Sequence, residues 1–500
     1  MSGEGNDFGA PYDEQTTIEF RSVDGEPAGD PIMISQSTTT EQLEQVLNTV
    51  LQNDDEQPYT FWVKGKEISG DIGSFLTKVG ISSSETTTPI VYLPQALFRV
   101  APVSRCSSEL PGHTAPILAA QFSPDGVLVA SGSGDHTLRI WDMNTETPLA
   151  TCEGHSDNVL TVNWAPDGQK VCSGGKEGEL RVWDRDGQQR SRLRGHTKWI
   201  NSVSWEPYHV HGRSDHLVSA SKDSTAKIWH APSSRCVQTL SAHKLSVTSV
   251  AWGGEGKIYT ASEDGSVMMW DAETGQNRGI LGRSRTHSHW VNTIALSTDY
   301  ALRLGPFDEH GLQKGTDSER KADAQLRYLR VKSGHPFETG RKKAGVPPPP
   351  IASNMSERVL TGSDDFTLSL WDPRAPLDPI KKMTGHQGVV NSVAFSPCGR
   401  FIASASFDKS IRIWDGVGGG LIATMRGHVG RVYQVRWSAD SRLVVSCSED
   451  STAKVWDMKT KKLKNDLPGH SDEVYSVDWS PDGERVVSVG KDKNLRIWRQ

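Results

Sequence analysis

The stretch "GHSDEVYSVDWSPDGERVVSVGKDKNLRIW", residues 469–498, decides the fold, because variants of it recur along most of the chain. It begins with Gly-His and ends on a Trp 28 residues after that His. Alternating runs such as "RVVSV" and "LRIW" are separated by the turn signal "PDG", a pattern typical of antiparallel strands joined by tight turns. Residues 154–184 and 427–457 follow the same plan.

The chain contains eight such repeats, each running from a histidine to a tryptophan. The starting histidines are His113, His155, His196, His243, a fifth near His289, His386, His428 and His470. The closing tryptophans are Trp141, Trp183, Trp229, Trp270, Trp371, Trp414, Trp456 and Trp498. Repeats at a period of 41 to 47 residues, where no insertion intervenes, predict a β-propeller with eight blades.

An acid precedes each closing tryptophan by six residues. These acids are Asp135, Glu177, Asp223, Asp264, Asp365, Asp408, Asp450 and Asp492. In a tight turn such an acid can accept a hydrogen bond from the histidine of its repeat, which is tied in turn to a Ser and to the Trp indole. We interpret these sets as structural tetrads, because eight copies of one catalytic pair in a single chain would make no sense.

Two segments depart from the repeat. Repeat eight lacks residues for its outer strand, and "FRVAPVSRCSS", residues 98–108, is predicted to supply that strand and close the ring. Repeat five carries an insertion at about residues 305–355. Within it, "SERKADAQLRYLRV" favours a short helix, and "GRKKAGVPPPP" is typical of a linker with extended proline conformation.

The first part of the chain has a different pattern. We divide it into a disordered tail, residues 1–15, a small α+β domain, residues 16–93, and a linker with the ring-closing strand, residues 94–112, before the propeller at 113–500. "TTEQLEQVLNTVLQ" reads as an amphipathic helix with a Thr cap, and four short apolar runs around it read as strands. This order of elements predicts a ubiquitin-like β-grasp domain. The whole chain is thus expected to be mainly β.

Composition narrows the functional classes. Residues 1–98 carry 16 acids and 4 Lys or Arg, whereas residues 99–500 carry 45 acids and 51 bases, so two different partners are expected. The six cysteines form no C-x-x-C pair, and no run of 18 apolar residues predicts a membrane span. The P-loop, zinc-protease and Ser-hydrolase motifs are absent from the sequence, so we expect no enzyme, no cofactor and no small-molecule substrate.

The acidic head, the linker "YLPQALFRVAPVSR" and the eight WD40-type repeats together resemble the Notchless family of ribosome-assembly factors, over nearly the whole chain. The resemblance implies a nuclear protein of the nucleolus and nucleoplasm that acts as a monomer in large-subunit maturation. Its propeller would dock on the precursor particle, with ribosomal RNA, ribosomal proteins and the 5S ribonucleoprotein as partners. Its head would bind the metal-ion-dependent adhesion site of the AAA ATPase midasin.

The resemblance also gives a role to Glu85, the one acid in the polar run "ISSSETTTPIVYLP", residues 81–94. The critical acid of the family lies seven residues before a Tyr-x-Pro strand end, as Glu85 does before Tyr92. Mg²⁺ takes six oxygen ligands, and an adhesion site leaves one position open for a carboxylate from another protein. Glu85 would therefore be a metal ligand donated in trans, with Mg²⁺ held by the partner.

Two further hypotheses concern the propeller. The residue before the first strand of each repeat should lie near one rim, and this position holds Trp199, Trp290 and Arg431, residue types that anchor interfaces. An equal alternative is that both indoles pack on neighbouring blades. The pattern Trp-Asp-x-Arg that ends at Arg374 leaves a different function open, that of a substrate receptor for a cullin-based ubiquitin ligase.

Overall fold

The computed structural model describes residues 15–22, 27–51, 57–64, 66–68, 70–80, 87–95, 99–283, 285–308, 311–313, 315–333 and 356–500. These residues form two compact units, one within residues 15–95 and the other within residues 99–500. Of the predicted tail, only Gln15 is described, and it begins the first strand instead of belonging to a tail.

The first unit is a five-stranded mixed sheet with two helices. Its elements are β1 (Gln15–Arg21), β2 (Ile32–Ser35), α1 (Thr40–Val50), β3 (Tyr59–Val63), β4 (Lys66–Glu67), α2 (Ile72–Val79) and β5 (Thr88–Pro94). The strand order is β2-β1-β5-β3-β4, with β1 and β5 parallel. This is the topology of a β-grasp domain, as the order of the elements in the sequence predicts.

Helix α1 has the Thr cap and the buried apolar face that its sequence predicts. Thr39 is its N-cap, and Thr39 and Gln42 form a capping box that satisfies two backbone N–H groups at the helix start. Leu43 and Leu47 are fully buried and pack in one core with Ile18 of β1. The 3.6-residue spacing of the apolar side chains thus sets which face of α1 covers the sheet.

The second unit contains eight four-stranded antiparallel sheets. Sheets one to four are built from β7 (Ile117–Phe122), β8 (Leu128–Ser133), β9 (Leu138–Asp142) and β10 (Thr147–Cys152); β11 (Val159–Trp164), β12 (Lys170–Gly175), β13 (Leu180–Asp184) and β14 (Gln189–Leu193); β15 (Ile200–Trp205), β16 (His216–Ser221), β17 (Ala226–His230) and β18 (Arg235–Leu240); β19 (Val247–Trp252), β20 (Lys257–Ser262), β21 (Val267–Asp271) and β22 (Asn277–Ile280).

Sheets five to eight continue the series. They are built from β23 (Val291–Leu296), β24 (Val359–Ser363), β25 (Leu368–Trp371) and β26 (Lys381–Met383); β27 (Val390–Phe395), β28 (Phe401–Ser406), β29 (Ser410–Asp415) and β30 (Leu421–Arg426); β31 (Val432–Trp437), β32 (Leu443–Ser448), β33 (Ala453–Asp457) and β34 (Lys462–Leu467); β35 (Val474–Trp479), β36 (Val486–Gly490) and β37 (Leu495–Arg499) with β6 (Arg105–Leu110).

The first strand of each sheet contacts the first strand of the next, and β35 contacts β7, so the inner strands form a closed circle. The outer strand of sheet eight comes from the other end of the unit, since β6 pairs with β37. The sequence-based bounds of this strand were wrong, because it spans Arg105–Leu110 instead of starting at residue 98. The residues before it run along sheet seven, where Val103 is buried and Pro102 has no N–H for a ladder.

The inserted segment of repeat five connects β23 to β24. Its described part contains α4 (Asp299–Leu304) and α5 (Asp317–Lys332), so the predicted helix is present and the insertion begins before residue 305. A shorter insertion between β15 and β16 forms α3 (Tyr208–His211), which packs against α5. The Pro-rich linker predicted at the end of the insertion lies outside the described residues.

Candidate binding surfaces of the propeller

Every sheet contains one buried tetrad in which the histidine bridges an acid and a hydroxyl. In sheet eight, His470 Nδ1 lies 2.8 Å from Asp492 Oδ2 and its Nε2 lies 2.7 Å from Ser488 Oγ, which also accepts a 2.8 Å hydrogen bond from Trp498 Nε1. The corresponding sets are His113–Asp135–Ser131–Trp141, His155–Glu177–Ser173–Trp183, His196–Asp223–Ser219–Trp229, His243–Asp264–Thr260–Trp270, His287–Asp365–Thr361–Trp371, His386–Asp408–Ser404–Trp414 and His428–Asp450–Ser446–Trp456.

The histidine of repeat five is His287, two positions before His289, near which it was expected. His287 lies 3.1 Å from Asp365, whereas the side chain of His289 is exposed. A spacing signal was available in the sequence. The tetrad histidine precedes the first residue of its sheet by four positions in the other repeats, and His287 has this relation to Val291.

In the seven tetrads that contain an aspartate, the pKa of this acid is lowered, which favours its charged form. Burial acts to raise the pKa of Asp135, but hydrogen bonds from Thr137, Thr114 and His113 outweigh it and lower that pKa to about 2. Burial lowers the pKa of His113, although its bond to Asp135 opposes this. The histidine of each tetrad thus has both ring nitrogens engaged within its own repeat, which suits a structural role.

One rim of the propeller is defined by two positions in each repeat, the residue before the first strand and the residue after the second strand. The N–H of the second donates to the carbonyl of the first, as Lys222 does to Trp199 at 2.9 Å and Asp364 does to Trp290 at 2.9 Å. The same bond joins Glu449 to Arg431. The three predicted interface residues therefore share this rim, in sheets three, five and seven.

Trp199 is an exposed aromatic anchor beside two cations. Trp199 is 39% exposed, and a lysine of the neighbouring sheet two lies against its ring. Lys222 Nζ lies 4.1 Å and Lys176 Nζ 4.7 Å from the ring centroid. Lys222 follows the second strand of sheet three, and Lys176 follows the second strand of sheet two. Sequence reasoning missed both lysines, because their approach to the ring depends on strand register within sheet three and on the packing of sheet two beside it. The arrangement presents a partly exposed aromatic ring together with two positive charges.

Trp290 and Arg431 have different surroundings. Trp290 is 45% exposed and lies beside the exposed His289, with ring centroids 5.6 Å apart. The Arg431 guanidinium lies 5.4 Å from the ring of Phe407 and 3.8 Å from Glu449. Phe407 is also in edge contact with Tyr433. Among the described residues, no contact joins Trp199, Trp290 and Arg431 to one another, so they mark separate places on the rim.

The inner strands of all eight sheets line a channel with a cavity volume of about 540 Å³. Helix α4 enters it from repeat five, and Arg303 forms a two-pronged ion pair with Asp478 of sheet eight, at 2.8 and 2.5 Å. Beyond α4, Phe307 lies against Gly168 of sheet two. The insertion thus passes from sheet five across the channel to sheets eight and two, at the end of the channel opposite the rim.

The remaining predicted residues are placed as follows. Glu85 lies outside the described residues, between α2 and β5. Arg374 is exposed on a turn after β25 and its Nε lies 3.5 Å from Asp372. No helix among the described residues is long and apolar enough to cross a membrane.

The fold and these surfaces define a class: a WD-repeat propeller with a separate N-terminal α+β domain. The family description "WD domain, G-beta repeat" matches residues 104–142, 146–184, 187–230, 234–271, 377–415, 419–457 and 461–499. The description "NLE (NUC135) domain" matches residues 16–76. The strands β23 to β25 of repeat five, between which the insertion lies, are outside the matched ranges.

The chain belongs to the Notchless family. It is 47% identical to Protein Notchless of Drosophila melanogaster over 386 residues, which cover 76% of this chain and 75% of that protein. It is 45% identical to Ribosome assembly protein 4 of Saccharomyces cerevisiae over 427 residues, 82% of this chain and 79% of that protein. The crystal structure of the computationally designed protein Ika8 matches the fold with a TM-score of 0.58 at 23% identity, covering 78% of this chain and 98% of that one.

Proposed function

We propose that this protein is a non-catalytic assembly factor of the large ribosomal subunit whose propeller docks on precursor particles through its rim. The observation that carries the proposal is the exposed Trp199 ring with the ammonium groups of Lys176 and Lys222 at 4.7 and 4.1 Å. Ribosomal RNA offers unpaired bases that stack on aromatic rings and phosphates that attract cations. The name of the yeast relative, Ribosome assembly protein 4, supports the same role.

The rim can be tested with a charge-reversal variant. Lys176→Glu with Lys222→Glu should shift the protein from large-subunit precursor fractions to the top of a sucrose gradient of nuclear extract. The matched control is Lys459→Glu with Lys462→Glu, which reverses two exposed lysines at the turn between β33 and β34, on the side away from the rim. If both variants sediment as the wild type does, the rim around Trp199 is not the docking surface.

The finer part of the proposal concerns the N-terminal domain. Glu85 would complete the Mg²⁺ shell in the adhesion site of midasin, so that ATP hydrolysis by midasin remodels the particle and releases factors. One carboxylate among Ser and Thr side chains is too few ligands to hold Mg²⁺ alone. The free protein should therefore bind no metal at Glu85. Remodelling of the precursor particle would take place in the nucleolus and nucleoplasm.

The contact can be tested by pull-down of the midasin adhesion domain with the full-length chain, with Mg²⁺ and with EDTA. Glu85→Asp keeps the charge but withdraws the carboxylate by roughly 1 Å, which a site held to about 0.5 Å should not accept. Glu41→Asp, at an exposed acid in the first turn of α1, is the matched control. Binding that survives EDTA, or that Glu85→Asp leaves intact, would argue against Glu85 as a metal ligand. Co-purification of a cullin adaptor instead of precursor particles would favour the ligase-receptor function.

A further inference from the structure

A cluster of two histidines and one carboxylate lies on the short insertion of sheet three, away from the rim. Glu206 directly follows β15, His211 is the last residue of α3, and His216 is the first residue of β16. The backbone fixes both ends of this insertion, because Glu206 N–H donates to the carbonyl of His216 at 3.1 Å. Three chain positions that are ten residues apart at most are therefore brought to one point.

The ligand atoms converge. His211 Nδ1 lies 2.9 Å from Glu206 Oε1, and His216 Nδ1 lies 3.1 Å from Glu206 Oε2. One ligand atom from each residue lies within 4.8 Å of the others. Two nitrogens at about 2.1 Å and one oxygen at about 2.0 to 2.2 Å from a common centre require ligand separations of this size.

The carboxylate of the cluster is buried, whereas its two imidazoles reach solvent. Glu206 is 4% exposed, and its ion-pair partners among the described residues are the two imidazoles. A buried carboxylate needs hydrogen-bond partners or a cation, and both imidazoles direct their Nδ1 atoms at this one. The side chains of His211 and His216 are 58% and 32% exposed, so one side of the cluster faces solvent. His211 also lines an open cavity of about 610 Å³ through which an ion can enter.

We propose that Glu206, His211 and His216 bind a Zn²⁺ ion, with water in the fourth position. Two imidazole nitrogens and one carboxylate oxygen form a ligand set that zinc accepts with an open position. His209 lies on the same insertion but is engaged elsewhere, since its Nε2 lies 3.0 Å from the carbonyl oxygen of Gly254.

The consequence of zinc binding would be structural. Helix α3 has only four residues and its N-cap makes no side-chain hydrogen bond, so it depends on other contacts. A metal bond from His211 would fasten its last residue to the two strands of sheet three. Helix α3 in turn supports α5, because His209 stacks on Tyr328 with ring centroids 4.5 Å apart. Zinc would therefore hold α5, and with it the far part of the insertion, against sheet three.

The test is equilibrium zinc binding to the tag-free full-length chain, with elemental analysis after removal of free metal and with Co²⁺ absorption as a probe of coordination. We expect about one zinc per chain and a raised melting temperature in zinc. His211→Ala should weaken zinc binding by at least about tenfold and abolish the melting shift. His211 is exposed, so this variant should remain folded. His216→Ala and Glu206→Gln should have the same effect on zinc.

His289→Ala removes an exposed histidine that also faces a carboxylate, Asp364 at 3.5 Å, and serves as the control. It should bind zinc as the wild type does. The proposal is overturned if the wild type retains no zinc, or if His211→Ala retains as much zinc as the wild type and the control. The first result would mean that the two imidazoles serve only to satisfy a buried carboxylate.

Discussion

The tetrads and the insertion of repeat five both depend on polar side-chain contacts, but the tetrads connect residues of one repeat and the insertion connects different repeats. Each tetrad joins side chains of one repeat, such as His470 and Trp498, and the same bonds recur in all eight sheets. The insertion makes contacts that occur once and link distant repeats, as Arg303 and Asp478 do across 175 positions. The polar contacts that recur in every sheet therefore stabilise the propeller itself. The contacts that occur once, in the insertion, distinguish this propeller from one built of eight identical repeats.

The largest expected effect compares two tryptophans, one from a tetrad and one from the rim. Trp456 is 1% exposed and donates to Ser446, so Trp456→Ala should lower the free energy of unfolding by about 3–5 kcal/mol. Trp199→Ala should change it by less than about 0.5 kcal/mol, because the side chain is exposed. Denaturant unfolding of both variants measures this. If both variants lose the same free energy of unfolding, the tetrad tryptophan is no more important for stability than the rim tryptophan.

A smaller loss in the free energy of unfolding is expected when the ion pair between Arg303 of the insertion and Asp478 is removed. The side chain of Asp478 is 2% exposed, and Arg303→Met would leave it with the N–H of Phe122 and the more distant Arg436. We expect a loss of about 2 kcal/mol, since a buried acceptor loses its main partner. Arg320→Met is the control, because its pair with the exposed Asp317 is worth little. If both variants unfold at the same denaturant concentration, α4 does not brace the ring.

The smallest effect concerns pH and a buried acid of the insertion. Burial raises the pKa of Glu357, although hydrogen bonds from Thr298 and from Gly254 N–H lower it. Because the folded-state pKa lies above the unfolded value, the contribution to stability is complete below the unfolded pKa and declines as pH rises towards the folded one. Glu357→Gln should therefore gain stability relative to the wild type as pH rises above the ordinary pKa of a glutamate. Asp450→Asn, at an acid whose pKa is lowered, should show no such gain. A constant difference across this range would mean that Glu357 is charged in the folded protein.

The parts of the fold that depend on local spacing could be predicted from the sequence. The eight His-to-Trp repeats and the capped helix α1 are carried by neighbouring residues, and the structure contains them. His287 was located only approximately because its repeat contains two histidines before β23, His287 and His289, and neither follows a Gly; the four-residue spacing to Val291 was present. The ring-closing strand was predicted to start too near the N-terminus. The pattern of apolar residues does not determine which of them pair with a strand about 390 positions away.

The binding surfaces were less accessible to sequence reasoning. The rim position could be identified because it precedes a strand in every repeat, which located Trp199, Trp290 and Arg431. The lysines beside Trp199 follow second strands, and the distance of Lys176 to the ring depends on how sheets two and three twist against each other. The pairing of Glu206 with His216 likewise depends on the register of β15 and β16.

The pairing of β6 with β37 has a consequence for the synthesis of the protein. The ribosome synthesises Arg105–Leu110 long before Leu495–Arg499. The strand β6 therefore has no partner strand until the residues of the seven intervening sheets have been synthesised. During that time its backbone donors and acceptors form an open edge that can recruit other nascent chains. Contacts of such high sequence separation also form slowly. We therefore expect the newborn chain to need a chaperone on residues 99–110 until translation is complete, and its ring to close as a single late event.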